Sequence, residues 1–425
     1  MNRRAFRLCA GIFLTGCLLV AGAVVSVTAQ TRGGAVQAPN LEVDPFWPKP
    51  LPNHWLLGSV TGVAVDAQDN VWIVHQGGPT LNARTEMGAA TTPPTAEACC
   101  VPAPPILKFD AAGKLLASFG GAGTGYSWPR LPQGIMIDAK NNVWIGGTAA
   151  GTVEGPAGPA PEGDQPARAT GTTRGAAVAA AVARGRGAAA QGQRDAQVLK
   201  FSGDGKFQLQ IGMPGKVEGP ESGTTLSLPA NIEFDAAANE VYVADRGNRR
   251  VVVFNADTGA YKRHWGAYGN KPESADPPPY DPAAPAAKQF RGVSCVRIAR
   301  DGLVYVCDRE SNRIQVFQKD GKFVKEAVIS KATRGDGAVW DIAFSKDAQQ
   351  RFMYVADGHD KTVLMVNRDS LEVLTKFGSG GRQPGQFVGV GNIAVDSKGN
   401  VYTGETSEGK RVQKLTFKGL SNVTR

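Results

Sequence analysis

Residues 304–317 read VYVCDRESNRIQVF, which is two β-rich runs separated by a short polar stretch. The runs at 304–306 and 314–317 are rich in β-branched and aromatic residues, which favours strands over a helix. Between them, Asp308 is placed to bond its own turn and to pair with Arg313, five residues later. We therefore predict two consecutive strands joined by a turn that Asp308 stabilises.

The same arrangement recurs along the chain on both sides of this stretch. A short inner run, in most copies ending in Asp, precedes each pair of strands. These inner runs lie at 63–66, 135–138, 232–235, 296–299, 342–345 and 393–396. After each pair of strands a further turn, for example at residues 203–206, leads to a fourth β-rich run. Six copies of a four-stranded unit predict an all-β fold, a six-bladed β-propeller of four-stranded blades.

The two ends of the chain predict how the ring closes. The last copy stops near residues 417–419 without a clear fourth strand, whereas residues 54–58, HWLLG, look like a fourth strand without a unit. We expect this N-terminal strand to complete the sixth blade and leave no sheet edge unpaired; a linker strand is the alternative. The propeller is predicted over residues 53–420, after a lead segment at 30–52 and before a tail at 421–425.

The first 29 residues are predicted to be a signal peptide. A basic head precedes an apolar stretch at residues 6–27 and a small-residue cleavage site at 27–29. We expect export to the periplasm or the exterior, with no transmembrane domain after cleavage. A retained anchor, a twin-arginine signal at residues 3–4 and a lipid anchor on Cys17 remain alternatives.

The net charge and the cysteines indicate which binding partners and which cellular compartment to expect. The chain has a net charge of +9 but no basic helix or finger spacing, so sequence-specific binding of nucleic acid is not expected. Four cysteines lie beyond the signal peptide, in a compartment that allows disulfides. Cys295 and Cys307 flank a turn on consecutive strands and are predicted to form a bridge, with Cys99 and Cys100 vicinal or free.

Three long connections predict one functional face. They span residues 77–105, 148–197 and 268–290. Because antiparallel strands reverse at every turn, all three emerge on the same face of the ring, where binding sites are commonly built. The second one contains the Ala/Gly/Arg-rich insertion at 149–196, which is predicted to be disordered; the alternative is that it folds over the channel as a lid or on a partner.

Residues 308–317 and 245–251 resemble the core of an NHL repeat, and the likeness covers residues 61–415. Within NHL propellers, residues 61–75, 131–134 and 308–310 resemble the peptidyl-hydroxyglycine amidating lyases. That resemblance implies zinc-binding histidines at the entry of the inner strands. The corresponding residues here are Thr61, Gln133, Ala230, Ser294, Trp340 and Gly391. None is a nitrogen ligand, so we do not expect zinc.

The next position in each copy suggests another ion. It is occupied by Gly62, Gly134, Asn231, Cys295, Asp341 and Asn392. The oxygens of Asn231, Asp341 and Asn392 suit a hard cation such as calcium, and lactonase-type propellers resemble this arrangement. The alternative is that these side chains cap strand ends in a wet channel.

Two functions from different classes follow. The first is a binding scaffold for a peptide, protein or small molecule, with Arg246, Arg309, Trp340 and Gln133 as contact residues. The second is a metal-dependent lyase or lactone hydrolase, in which calcium polarises the substrate and His75 or His359 moves the proton. No phosphate-binding loop, nucleophile elbow or zincin motif is present in the sequence. No cofactor beyond this candidate calcium is predicted.

Overall fold

The computed structural model describes residues 36–152 and 192–423 and contains six four-stranded antiparallel sheets. In the first five sheets the four strands pair in chain order, and the sixth recruits its outer strand from the N-terminal part of the chain. The predicted all-β, six-bladed propeller closed by an N-terminal strand is therefore confirmed.

The strands divide among the blades as follows. Before the first blade lie β1 (Val36–Asp44) and β2 (Trp55–Leu56). Blade 1 contains β3 (Val60–Val65), β4 (Val71–His75), β6 (Ile106–Phe109) and β7 (Leu115–Phe119), with the short β5 (Val101–Pro102) inserted between β4 and β6. Blade 2 contains β8 (Pro132–Ile137), β9 (Val143–Gly147), β10 (Gln197–Phe201) and β11 (Phe207–Gly212). Blade 3 contains β12 (Pro229–Asp235), β13 (Glu240–Asp245), β14 (Arg250–Asn255) and β15 (Tyr261–Trp265).

The remaining blades follow the same plan. Blade 4 contains β16 (Val293–Ile298), β17 (Val304–Asp308), β18 (Arg313–Phe317) and β19 (Phe323–Val328). Blade 5 contains β20 (Asp341–Phe344), β21 (Phe352–Asp357), β22 (Thr362–Asn367) and β23 (Val373–Phe377). Blade 6 contains β24 (Val390–Val395), β25 (Val401–Glu405), β26 (Val412–Val423) and the closing strand β1. Short 3-10 helices occupy Gly78–Thr80, Gly88–Ala90, Arg246–Asn248, Ala267–Gly269 and Arg309–Ser311.

The hydrophobic core lies between blades. Each buried cluster combines side chains from two adjacent sheets; one joins Cys307 and Val316 of blade 4 to Val355 and Val366 of blade 5. The second strand of each blade is buried along its whole length because neighbouring sheets cover both of its faces. The fourth strands are only partly buried. The inner strands, which line the channel, are therefore backed by the fully buried second strands.

The strand that closes the ring is β1 and not residues 54–58. β1 pairs with β26 from Val36↔Val423 to Asp44↔Lys414. The HWLLG segment instead contributes β2, which pairs in parallel with β5 of the first long connection. Pro39 makes β1 look unlike a strand in sequence, and the register of β1 against β26 shifts after Pro39. An outermost strand tolerates both, because one of its edges pairs with nothing.

The three long connections leave the ring on one face, as predicted. Two join second to third strands, in blades 1 and 2, and the third joins blade 3 to blade 4. The predicted signal peptide, the Cys17 lipid anchor and the core of the predicted disordered insertion, residues 153–191, lie outside the described residues. In the described ranges no helix has the length and apolar character needed to cross a membrane.

Two disulfides lie in the described chain. Cys295 and Cys307 are directly opposite each other on β16 and β17, with their Cα atoms 4.9 Å apart, and are joined. Cys99 and Cys100 are joined as a vicinal pair in the first long connection. The first bridge therefore ties an inner strand of the channel to the strand behind it.

Candidate functional site

A buried carboxylate at the end of the second strand organises the loops around the channel. Asp308 accepts the backbone N–H groups of Arg291 and Gly292, both at 2.9 Å, and pairs with Arg313 Nε at 2.9 Å. Arg313 in turn donates to the carbonyl of Gln289 at 3.0 Å. The predicted Asp308–Arg313 pair therefore attaches the segment entering the blade to the turn that leaves its second strand.

His75 performs the same task in blade 1 with a neutral ring. Its Nδ1 accepts the backbone N–H groups of Gly58 at 3.1 Å and Gly77 at 3.0 Å, and its Nε2 donates to the carbonyl of Pro104 at 2.9 Å. Burial lowers the pKa of His75 to about 4. Both ring nitrogens are thus engaged by backbone groups, and His75 replaces a carboxylate as an acceptor.

The channel opens on the loop-rich face into a cavity of about 380 Å³. Its lining includes residues from all six blades. Seven of the residues predicted to bind a ligand or a metal line it: Arg246, Arg309, Trp340, Gln133, Asn231, Asp341 and Asn392. Within the described part of the chain, His75 and His359 do not line this cavity. His359 lies on the surface, where its ring packs against Gly335.

A stacked pair forms one side of the cavity rim. The guanidinium of Arg309 lies over the ring of Trp340, 4.3 Å from the ring centroid. Trp340 is held by a 2.7 Å hydrogen bond from its indole N–H to the carbonyl of Gly337. Gly358 leaves room for the ring, since a Cβ there would lie 2.7 Å from Trp340 Cδ2. The orientation of this aromatic surface is therefore set by packing.

Polar contacts between blades form the rest of the rim. Arg246 donates to Glu310 at 2.6 Å, which joins blade 3 to blade 4. Gln133 of blade 2 donates to the carbonyl of Thr61 of blade 1 at 3.1 Å. Ser294 of blade 4 donates to the carbonyl of Val339 at 3.0 Å. These bonds hold the inner ends of neighbouring blades together.

Arg297 lies in the channel beneath Asn231 and Asp341 of the cavity lining and was not anticipated from the sequence. Its guanidinium donates to the amide oxygen of Asn231 at 2.5 Å and to both carboxylate oxygens of Asp341 at 2.8 and 3.0 Å. Glu233 lies 3.6 Å from the same guanidinium, on the side of a second cavity of about 390 Å³ at the opposite end of the channel. Burial raises the pKa of Glu233 to about 7, against the attraction of Arg297.

These contacts bear on the predicted calcium donors. Asn231 and Asp341 do converge, but on the guanidinium of Arg297. Asn392 donates its amide N–H to the carbonyl of Val60 at 3.1 Å and so bridges blades 6 and 1. Over residues 36–152 and 192–423, no group of three or more histidine, cysteine, aspartate or glutamate side chains could hold a metal ion. As arranged here, the three donors do not fit a calcium ion.

A sequence signal for Arg297 was available in the repeat itself. The middle residues of the six inner runs line the channel: Ala64, Met136, Glu233, Arg297, Ala343 and Ala394. Three of the six are alanine, so two charged residues at this repeat position stand out. Charges at a channel-facing position must find partners across the channel, which could have paired Arg297 with Asp341 or Glu233.

Comparison with known proteins defines the repeat. Residues 290–317, which contain the Asp308–Arg313 turn, match the family model of the NHL repeat. These residues form an NHL repeat within the six-bladed propeller. The predicted NHL repeat and the predicted likeness to amidating enzymes are both confirmed by these comparisons.

Two curated relatives of this propeller are amidating enzymes. The peptidyl-glycine alpha-amidating monooxygenase of Mus musculus is 25% identical over 317 residues, which cover 63% of this chain and 31% of the mouse protein. The Rattus norvegicus enzyme is 25% identical over 328 residues, which cover 65% of this chain and 32% of the rat protein. The chain thus spans about a third of the length of these relatives.

Solved structures of low identity were also found. A streptogramin B lyase matches with a TM-score of 0.45 and 10% identity, covering 90% of this chain and 98% of its own. A virginiamycin B lyase from Staphylococcus aureus matches with a TM-score of 0.45 and 11% identity, covering 89% and 99% respectively.

Proposed function

We propose that this β-propeller is an exported binding protein that takes an anionic group of a peptide or small ligand into the channel mouth. The observation that carries the proposal is the rim of the 380 Å³ cavity, where Arg246, Arg309 and Trp340 meet. A guanidinium presents a planar fork that matches a carboxylate. The tryptophan ring beside it offers a flat apolar surface for the adjoining part of the ligand.

The charges around this rim support an anionic ligand. Asp341 lines the cavity, but its carboxylate is held by Arg297 below. Glu310 and Asp336 lie 3.9 and 3.8 Å from Arg309, which is longer than a direct hydrogen bond. Arg246 and Arg309 together place two guanidinium groups on the rim, where they attract a ligand carboxylate.

The histidines support binding more than proton transfer. His75 has both ring nitrogens bonded to backbone groups and a pKa of about 4, set by burial. A general base must reach the substrate proton within hydrogen-bond distance. Since neither His75 nor His359 lines the cavity in the described residues, we favour a scaffold over an enzyme.

The likeness to the amidating enzymes supports a second candidate, a metal-dependent lyase or hydrolase at the same mouth. It requires Arg297 to leave Asn231 and Asp341 before a cation can bind there. Metal analysis of the purified protein separates the two candidates. Stoichiometric calcium that is lost, together with turnover, in Asp341→Ala supports the enzyme; ligand binding by metal-free protein supports the scaffold.

Calorimetry with paired peptides tests the binding proposal. A short neutral peptide with a free C-terminal carboxylate is compared with its C-terminal amide. We expect the free acid to bind about 10–100-fold more tightly, the range that one or two charge-assisted hydrogen bonds supply. Arg309→Ala should lower the affinity for the acid by a similar factor.

Arg351→Ala is the matched control, because Arg351 is exposed and lies on a first-to-second turn at the opposite face. It should leave the affinity unchanged. Equal affinity for acid and amide, or an unchanged affinity in Arg309→Ala, would contradict the proposal.

A further inference from the structure

A third and larger cavity, of about 640 Å³, opens beside the mouth on the same face. Connections from blades 2 to 5 form its wall. We call it the arginine pocket because five arginines line it: Arg194, Arg246, Arg249, Arg291 and Arg334. Its carboxylates are Asp276 and Glu310. The lining therefore carries three positive charges in excess.

Two of these cations, Arg194 and Arg291, are anchored by backbone and neutral groups. Arg194 Nε donates to the hydroxyl of Ser227 at 2.9 Å. Arg291 donates to the carbonyl of Pro278 at 2.6 Å, and its guanidinium lies 5.9 Å from the ring centroid of Tyr280. Burial lowers the pKa of Arg194 and of Arg291. These guanidinium groups are therefore partly desolvated, which strengthens their attraction to an anion.

Only two of the five arginines have a carboxylate partner inside the pocket. Arg249 pairs with Asp276, and Arg246 pairs with Glu310 at 2.6 Å. In the described ranges, Arg194, Arg291 and Arg334 form no ion pair. The buried Nε of Arg291 also lacks a hydrogen-bond acceptor. Three cations without an ion pair, of which Arg194 and Arg291 are partly desolvated, indicate a surface that an anionic ligand completes.

We infer that the arginine pocket binds acidic side chains of a peptide whose terminal carboxylate occupies the channel mouth; this rests on the proposed function. Arg246 lines both cavities, so they adjoin and one extended chain can occupy both. A pocket of about 640 Å³ exceeds the space that a single oxyanion needs. Several cations spread over one wall suit several carboxylates on one chain.

The test uses two N-acetylated hexapeptides with free C-terminal carboxylates, one with three glutamates and one with three glutamines. Calorimetry at low salt should give the glutamate peptide at least tenfold higher affinity, and added salt should reduce this preference. Arg334→Glu should remove most of the preference and leave the affinity for the glutamine peptide unchanged. Arg334 is exposed, so its replacement should not disturb folding.

Lys322→Glu changes the net charge by the same amount from an exposed turn on the opposite face, and should preserve the preference. Equal affinity of the two peptides would overturn the inference while leaving the mouth proposal intact. Binding of the glutamate peptide that Arg334→Glu does not weaken would also overturn it. Inorganic phosphate should compete only at millimolar concentration, and micromolar competition would assign the pocket to a small oxyanion instead.

If both proposals hold, Arg309→Ala should cause loss of binding of both peptides. Only Arg334→Glu should remove the preference for the glutamate peptide. If Arg309→Ala binds both peptides with unchanged affinity and keeps the preference for the glutamate peptide, the mouth proposal is contradicted. The arginine pocket would then be an independent site.

Discussion

Arg309 and Arg313 belong to one turn of blade 4, yet they lie in different regions of the molecule. Arg313 is 1% exposed and lies between blades, where it bonds to Asp308 at 2.9 Å and to the carbonyl of Gln289 at 3.0 Å. Arg309 lies at the cavity rim, stacked on Trp340. The turn of blade 3 repeats the division, with Arg250 buried and Arg246 at the rim.

The difference separates two kinds of arginine within the same repeat. The buried arginine neutralises a buried carboxylate and satisfies backbone carbonyls, so the fold depends on it. The rim arginine makes longer or partly exposed ion pairs, which contribute little to stability. A charged residue near the channel is therefore informative about function only after its place in the turn is known.

Arg313→Ala should have the largest effect. It leaves the carboxylate of Asp308 buried without its cation, and the free energy of unfolding should fall by about 3–5 kcal/mol. Arg309→Ala should lower it by about 1 kcal/mol or less. Urea denaturation of the two variants measures both values, and similar losses would contradict the division between buried and rim arginines.

Arg297→Ala should rank second. The substitution leaves Asp341 buried in the channel without its partner, at an expected loss of about 2–4 kcal/mol in the free energy of unfolding. The double variant Arg297→Ala with Asp341→Asn should recover part of the loss, because no carboxylate is then left uncompensated. A double variant as unstable as the sum of the single variants would show that the two side chains do not interact.

Asp357 shows what the turn does without its arginine, because blade 5 has Thr362 where blade 4 has Arg313. Burial raises the pKa of Asp357 to about 6. The folded protein therefore holds a proton that the unfolded chain has released above pH about 4. This contribution to stability is present at low pH and is lost as pH rises through 6, by about 1–3 kcal/mol.

Asp357→Asn should remove this pH dependence and raise the stability at pH 7 relative to the parent protein. Asp320→Asn, at an exposed position in blade 4, should leave the dependence in place. Denaturation between pH 4 and 8 provides the measurement. If the stability of the parent protein rises over this range and that of Asp357→Asn rises equally, the raised pKa of Asp357 does not control the pH dependence.

Arg309→Lys should have the smallest effect. Lysine retains the charge but loses the planar stack on Trp340 and the forked donors. We expect the free energy of unfolding to be unchanged and the affinity for a peptide carboxylate to fall several-fold, about 1 kcal/mol. An affinity equal to that of the parent protein would indicate that charge alone, without stacking, attracts the ligand.

The fold was predictable because its information is local and repeated. Alternating β-rich runs such as 304–306 and 314–317 recur six times, and each repeat buries the same strands by the same pattern. The Asp308–Arg313 pair followed from a spacing of five residues. The identity of the closing strand did not follow, because β1 contains Pro39 and is recognisable only through its pairing with β26.

The candidate site could not be predicted from local sequence, because its residues come together only when the ring closes. The sequence alone determined that six similar sheets would form and that long connections would share one face, since strand direction alternates along the chain. Only the tertiary structure decided that Arg297 reaches Asn231 and Asp341, residues 66 and 44 positions away along the chain. It also decided that arginines from four blades line one pocket, because closing the ring brings together side chains that no local pattern connects.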